Sequence, residues 1–202
     1  MAKLKVAVFA SGNGSNFQAL ADAAREGRLG AEIRLLVCDR PEAYVVKRAE
    51  AAGVPTYVFR PRDYPSREAY EKEVLAELAR RGIGLVVLAG YMRILTNVLV
   101  DAYTGRMINI HPSLLPAFPG MNAIRQALDY GVKVTGVTVH FVDSGVDTGP
   151  IIAQEALAVE EHDTEETLAE RIHRIEHRLL PEVVRKIAEG RVRLEGRRVF
   201  VE

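Results

Sequence analysis

The sequence predicts an α/β protein built on a doubly wound, mostly parallel sheet with an antiparallel C-terminal portion. Three observations carry that prediction. Through the first half, short apolar runs rich in β-branched residues alternate with longer stretches of helical periodicity. The runs are apolar at consecutive positions, as expected of strands covered by helices on both faces and joined by right-handed crossovers. In the second half two such runs are separated only by DSGVDTG, residues 143–149. That is too short for a crossover helix, so the pair is predicted to be antiparallel.

The first strand is KVAVFA, residues 5–10, which stops at Gly12. NFQALADAARE, residues 16–26, sets Phe17, Leu20 and Ala24 on one side of a helix. EIRLLVC, residues 32–38, is the second strand. PEAYVVKRAEAAG, residues 41–53, is predicted as a helix with Pro41 near its first turn and Gly53 as its stop. TYVF (56–59) is a short strand, SREAYEKEVLAELARRG (66–82) an amphipathic helix and GLVVLAG (84–90) an apolar strand. RMINIH (106–111) is a further buried strand, and NAIRQALDYG (122–131) a helix closed by Gly131. KVTGVTVHFV (133–142) and IIAQEALAV (151–159) are the antiparallel pair. A long helix covers residues 163–190, with Asp163 and Glu166 spaced as a capping box and Pro181 expected to kink or split it. RVRLEGRRVFVE (191–202) resembles a small hairpin. No repeat or linker interrupts the pattern, which predicts a single domain over residues 1–202.

Composition narrows the function classes. Lys plus Arg and Asp plus Glu both number 27, so the chain lacks the concentrated positive field that nucleic acid or an anionic membrane surface requires. The one cysteine, Cys38, forms no internal disulfide and no multi-thiolate metal site, and reads as a small buried apolar residue. MAKLKVAVFASG has the lysines of a secretory leader, but its apolar run is too short and ends in glycine; the expected location is cytoplasmic. No segment reaches transmembrane length.

Chemistry concentrates in a few stretches. SGNGSN, residues 11–16, joins a strand to a helix, where glycines let the backbone approach a ligand and free N–H groups await an anion. Ser15 and Asn16 either cap that helix or bind phosphate oxygens. Asp39, ending the second strand, suggests the ribose-binding acid of a dinucleotide site, but Phe17 stands where the third glycine of that fingerprint belongs. A single phosphate fits better. NIHPSLLPAFP, residues 109–119, projects Asn109 and His111 to the same side of a strand end and follows them with Pro112, Pro116 and Pro119. A parallel strand puts that end where open α/β sheets bind ligands. Asp143 and Asp147 in the loop at 143–149 suit an ordinary turn, yet a carboxylate beside an imidazole would orient it and favour its charged form. Arg93, in GYMRIL, leaves another strand at the same edge. HRIEH, residues 173–177, matches a short zinc pattern, but its helix is heavily charged and no downstream acidic ligand helix follows; no metal is expected.

These residues together resemble the folate-dependent phosphoribosylglycinamide formyltransferases of purine synthesis. The likeness runs from VFASGNGSNFQAL through SREAY, LVVLAGYMRIL and INIHPSLLP to GVTVHFVDSGVDTGPII and EHRLLP. It implies a Rossmann-like formyltransferase fold, with residues 1–100 as the nucleotide-phosphate half and 101–202 as the catalytic and folate-binding half. Asn109, His111 and Asp147 match the catalytic residues. Gly14, Ser15 and Asn16 match the loop around the ribonucleotide phosphate, and His173 and Glu176 the ribonucleotide-binding part of the long helix. Arg67, Met92, Arg93, Ile94, Leu95, Asn109, Asp143, Ser144, Gly145, Val146 and Asp147 match the folate cleft. The resemblance also implies a cis bond between Leu115 and Pro116, 10-formyltetrahydrofolate as cosubstrate without a metal, small-molecule partners only, and a monomer or homodimer. Asn122 and Ile124 depart from the family, where histidines are common.

The implied reaction passes a formyl group to the glycinamide amine, with Asn109 at the developing oxyanion and His111 as general acid. Rivals are a formyltetrahydrofolate hydrolase, a nicotinamide-dependent oxidoreductase and a non-catalytic nucleotide-binding module. Methionyl-tRNA formyltransferases share the Asn–His block, but the 202 residues contain no counterpart of their basic RNA-binding domain.

Overall fold

A computed structural model describes residues 2–202. The elements in chain order are β1 (Leu4–Phe9), α1 (Ser15–Arg25), β2 (Ala31–Cys38), α2 (Tyr44–Ala51), β3 (Thr56–Val58), α3 (Arg67–Arg80), β4 (Leu85–Leu88) and α4 (Asn97–Ala102). They continue with β5 (Met107–His111), α5 (Ala123–Tyr130), β6 (Val134–Phe141), β7 (Ile151–Ala158), α6 (Glu165–Ala188), β8 (Val192–Glu195) and β9 (Arg198–Val201). Seven strands form one sheet in the order β3-β2-β1-β4-β5-β6-β7. The first five are mutually parallel, β6 runs antiparallel to both neighbours, and β8 and β9 make a separate antiparallel hairpin.

Alternation along β1 shows why its run is apolar throughout. Val6 and Val8 pack with Phe17 and Leu20 of α1 and with Leu168 and Ile172 of α6. Ala7 and Phe9, pointing the other way, pack with Tyr70, Val74 and Leu78 of α3 and with Leu99 of α4. Both faces are dry, and each such side chain contributes roughly 1.5–3 kcal/mol by leaving water. Strand order reverses between β1 and β4, so the loops after these two strands diverge and leave a crevice at their carboxyl ends.

Several local expectations need correction. Pro41 lies in a turn before α2, whose N-cap is Ala43. Ser15 and Asn16 do not cap α1: its N-cap is Gly14 at φ 80°, with no capping side chain. Ala23, rather than Ala24, completes the buried face with Phe17 and Leu20. The capping box of α6 is Thr164 with Thr167, each side chain bonding the other's backbone N–H, while Asp163 stands outside and accepts from the Thr167 hydroxyl. Pro181 does not split α6, which runs unbroken through it. Proline inside a helix costs about 3 kcal/mol. Leu179, Leu180, Val183 and Val184 are buried around it, and a few such side chains outweigh that cost by holding both halves of the helix on the sheet. Helix α4 was not foreseen. Its six residues are too few for a period to emerge, and it is nucleated by the Thr96 hydroxyl accepting from Val98 N–H.

Candidate active site

Asn109 and His111 end β5, where the strand is paired in parallel with β4 and antiparallel with β6. The register sets His140 of β6 directly opposite Asn109. The chain then leaves β6, turns through residues 143–149 and brings Asp147 back over the same strand end. Its carboxylate is held from three sides. Gly120 N–H donates to Oδ2 at 2.7 Å, Asn109 Nδ2 to Oδ1 at 3.3 Å, and His111 Nδ1 lies 3.5 Å from Oδ2. Burial pulls the Asp147 carboxyl upward, but the His140 imidazole, the Gly120 N–H and the His111 charge outweigh it and hold the group below the usual carboxylate range.

His111 is 5% exposed and has an acceptor at each ring nitrogen: the Phe118 carbonyl at 2.8 Å from Nε2, and Asp147 at Nδ1. A neutral imidazole carries one N–H, so only the doubly protonated ring donates to both. His140 donates from Nδ1 to its neighbour's carbonyl, Phe141 O, at 2.8 Å. Its Nε2 lies between the Asn109 amide, at 3.2 Å from Nδ2, and the Asp147 carboxylate, at 3.7 Å from Oδ1. The Asn109 amide nitrogen thus meets His140 at 3.2 Å and Asp147 at 3.3 Å, both long contacts.

Among the described residues three non-glycines have positive φ: Phe118 at 51°, Asn122 at 57° and Asp147 at 54°. Two of them bear directly on His111, through the Phe118 carbonyl and the Asp147 carboxylate. Such strain is tolerated where the surroundings over-determine the backbone. The Leu115–Pro116 bond is cis, as the resemblance implied. Asp143 builds the loop, accepting from Gly145 N–H and the Thr148 hydroxyl. Gly149 closes it so tightly that a Cβ would strike the Phe141 carbonyl.

The SGNGSN loop lies after β1. Gly14 needs its positive φ, and a Cβ there would strike Val45. Arg48 of α2 braces the loop by donating to the Asn13 carbonyl and side-chain oxygen, both at 2.8 Å. Asn16 faces Glu176 of α6, and its own Oδ1 is buried without a partner among the described residues. Burial pushes the Glu176 carboxyl up to about 7, a shift the Asn16 bond only tempers. His173 Nε2 is 3.8 Å from Glu176 Oε1 and its ring stacks on His177 at 6.2 Å. Among the described residues no three His, Cys, Asp or Glu side chains gather as metal ligands. Among the same residues no helix is long and apolar enough to cross a membrane.

On the far side of the crevice, Met92 and Ile94 stand 53% and 63% exposed, and Val146 of the Asp147 loop is 50% exposed. Arg67 reaches across to the Ile94 carbonyl at 3.2 Å. Asp39 is not free to hold a ribose, contrary to the suggestion of its position: it is buried, bonded to Ser11 and Arg93. The sequence placed Ser11 only within the SGNGSN loop and pointed to no role for Glu71, Gly120 or His140. The signal for the first two was present, a polar residue ending a wholly apolar strand and an acid at an inward position of α3.

A family model described as formyl transferase matches residues 4–184. The chain belongs to the phosphoribosylglycinamide formyltransferase family. The phosphoribosylglycinamide formyltransferase of Bacillus subtilis (strain 168) is 51% identical over 91% of this chain and 94% of its own length. The crystal structure of glycinamide ribonucleotide transformylase 1 from Symbiobacterium toebii superimposes with a TM-score of 0.96 at 49% identity, covering 98% of this chain and 94% of that one. Its counterpart from Geobacillus kaustophilus gives 0.91 at 54% identity, over 93% of this chain and all of that one. The seven-stranded, mostly parallel sheet is thus the family's sheet, and the formyltransferase activity is the family's activity. Nicotinamide-dependent hydride transfer has no support in these likenesses.

Proposed function

We propose that the protein transfers the formyl group of 10-formyltetrahydrofolate to the amine of 5'-phosphoribosylglycinamide, a step of purine biosynthesis. The observation that carries the mechanism is the meeting of Asn109, His111 and Asp147 at the carboxyl end of β5, beside a phosphate-sized loop. The free N–H groups of the first turn of α1, with Ser15 and Asn16, would hold the phosphate. The unpartnered Oδ1 of Asn16 and the Glu176 carboxyl are acceptors for hydroxyl or amide donors of the ribonucleotide. Exposed apolar side chains at Met92, Ile94 and Val146, with Arg67, Arg93, Leu95 and the loop from Asp143 through Ser144 and Gly145, would hold the folate.

The neutral glycinamide amine attacks the formyl carbon and a tetrahedral oxyanion forms. Asn109 relinquishes one of its long bonds to donate to that oxygen, which removes no strong interaction and aims a fixed dipole at developing charge. The Phe118 carbonyl occupies His111 Nε2, so the transferable proton is on Nδ1 beside Asp147. Its delivery to N10 lets the C–N10 bond break, and the proton lost by the attacking nitrogen restores the imidazolium. Asp147 stabilises the ring's charge throughout. Binding both reactants in one crevice removes much of the entropic barrier.

Formyl transfer assayed with and without the glycinamide ribonucleotide tests the reading. Product must form only when the ribonucleotide is present. Formate release at an equal rate in its absence would make the protein a hydrolase.

A further inference from the structure

The loops after β1 and β4 are tied together beneath the crevice by a set of buried polar contacts that the mechanism does not use. Ser11 is fully buried, donates its N–H to the Gly90 carbonyl at 3.0 Å and accepts from Met92 N–H at 2.9 Å on Oγ. The same hydroxyl donates to Asp39 Oδ1 at 2.5 Å. Asp39, 2% exposed, uses its other oxygen to accept from Arg93 Nε at 3.0 Å. Three strand ends, those of β1, β2 and β4, thus converge on one hydroxyl and one carboxylate. At the far end of the same loop the buried Glu71 carboxylate accepts from both the N–H and the hydroxyl of Thr96. The segment from Gly90 to Thr96 is pinned at both ends, while Met92 and Ile94 between the pins stay exposed.

A buried carboxylate is costly unless every lone pair finds a donor, and Asp39 recovers that cost only in this arrangement. We infer that Ser11, Asp39 and Arg93 form a positioning strap that presets the 90–95 loop against the phosphate loop, and so governs affinity for the formyl-donating folate rather than the rate of chemistry. The inference rests on the function proposed above. A loop already fixed pays little ordering entropy when a ligand arrives; a loosened one pays it at binding. Because the loop contacts the folate alike before and during reaction, loosening raises KM and leaves kcat nearly untouched.

Asp39→Asn is the decisive variant: it removes the charge that pairs with Arg93 without changing size, and its NH2 must oppose a donor, either Arg93 Nε or the Ser11 hydroxyl. Steady-state kinetics on the whole protein should show KM for 10-formyltetrahydrofolate raised about tenfold, with kcat and KM for the ribonucleotide within about twofold of wild type. Arg93→Gln, which loses the same link together with Arg93's own place at the folate cleft, should raise the folate KM at least as far, and the double variant should be no worse than Arg93→Gln alone, because Asp39→Asn cuts a link already lost. Arg93→Lys should recover part of what Arg93→Gln loses. If Asp39→Asn yields no folded protein, Ser11→Ala replaces it in the cycle. An unchanged folate KM in Asp39→Asn, equal rises for both substrates, or additive effects in the double variant would each overturn the strap. A wild-type protein that transfers no formyl group removes the underlying functional reading and the strap with it, whereas an active wild type with an indifferent Asp39→Asn removes the strap alone.

Discussion

Asp147 Oδ2 stands 3.5 Å from His111 Nδ1, with the opposite edge of that imidazole fastened to the Phe118 carbonyl. The ring is gripped from both sides and can only donate in one productive direction. His111→Ala and Asp147→Asn should each lower kcat by about 10²–10⁴-fold, the usual worth of a positioned general acid, with KM for the ribonucleotide changed little. Pre-steady-state and steady-state rates measured together check this. Turnover near wild type in either variant removes that residue from the chemistry.

Asn109 gives a separate readout. Asn109→Ala deletes the proposed oxyanion donor and should reduce kcat by about 10²–10³-fold. It also strips a bond from Asp147, so Asn109→Asp, which keeps the size but repels both the oxyanion and Asp147, should be at least as slow. A faster Asn109→Asp enzyme contradicts the assignment.

The phosphate loop should act on binding alone. Ser15→Ala and Asn16→Ala are expected to raise KM for the ribonucleotide about tenfold each, in line with lost charge-assisted hydrogen bonds, with the folate KM unaltered. Isothermal titration with the ribonucleotide measures the same loss directly.

Glu176 makes stability depend on pH in a defined window. Its folded carboxyl titrates at about 7 against an ordinary 4.5, so between these values the folded chain holds a proton that the unfolded chain has released. Stability contributed by that proton is present below the ordinary value and is lost as pH rises toward the folded one. Urea unfolding of wild type should weaken over this interval by on the order of 1–3 kcal/mol, and Glu176→Gln should flatten the slope. Asp147 works in the opposite sense: its lowered carboxyl adds stability above the ordinary carboxylate value, lost as pH falls through the folded one.

Gly149 tests whether the Asp147 loop is tightly built. A methyl group there meets the Phe141 carbonyl, and backbone cannot yield as a side-chain tip would. Gly149→Ala should cost about 1–3 kcal/mol by overpacking and should lower kcat as Asp147 moves, seen as a reduced Tm alongside a slower enzyme.

How much of this could be read from residue order follows the range of the forces involved. Strand and helix identity came from periods of two and 3.6, and these depend on near neighbours, so β1 through β9 and five of the six helices were legible. The pairing of Asn109 with His111 was legible for the same reason, because residues two apart on a strand share a side. Where competing local partners exist, order alone misjudged: Thr164, not Asp163, caps α6, and Pro181 persists in a helix that buried neighbours hold together. Contacts between distant segments were out of reach of periodicity. Phe17 already argued against Asp39 as a ribose ligand, but only the packing of three strand ends gave it its partners Ser11 and Arg93, and His140 gained a place only through the β5–β6 register. A chain's neighbours in sequence set its local shape through sterics and hydrogen bonding, but which charges and dipoles finally face one another is settled by how the apolar faces stack.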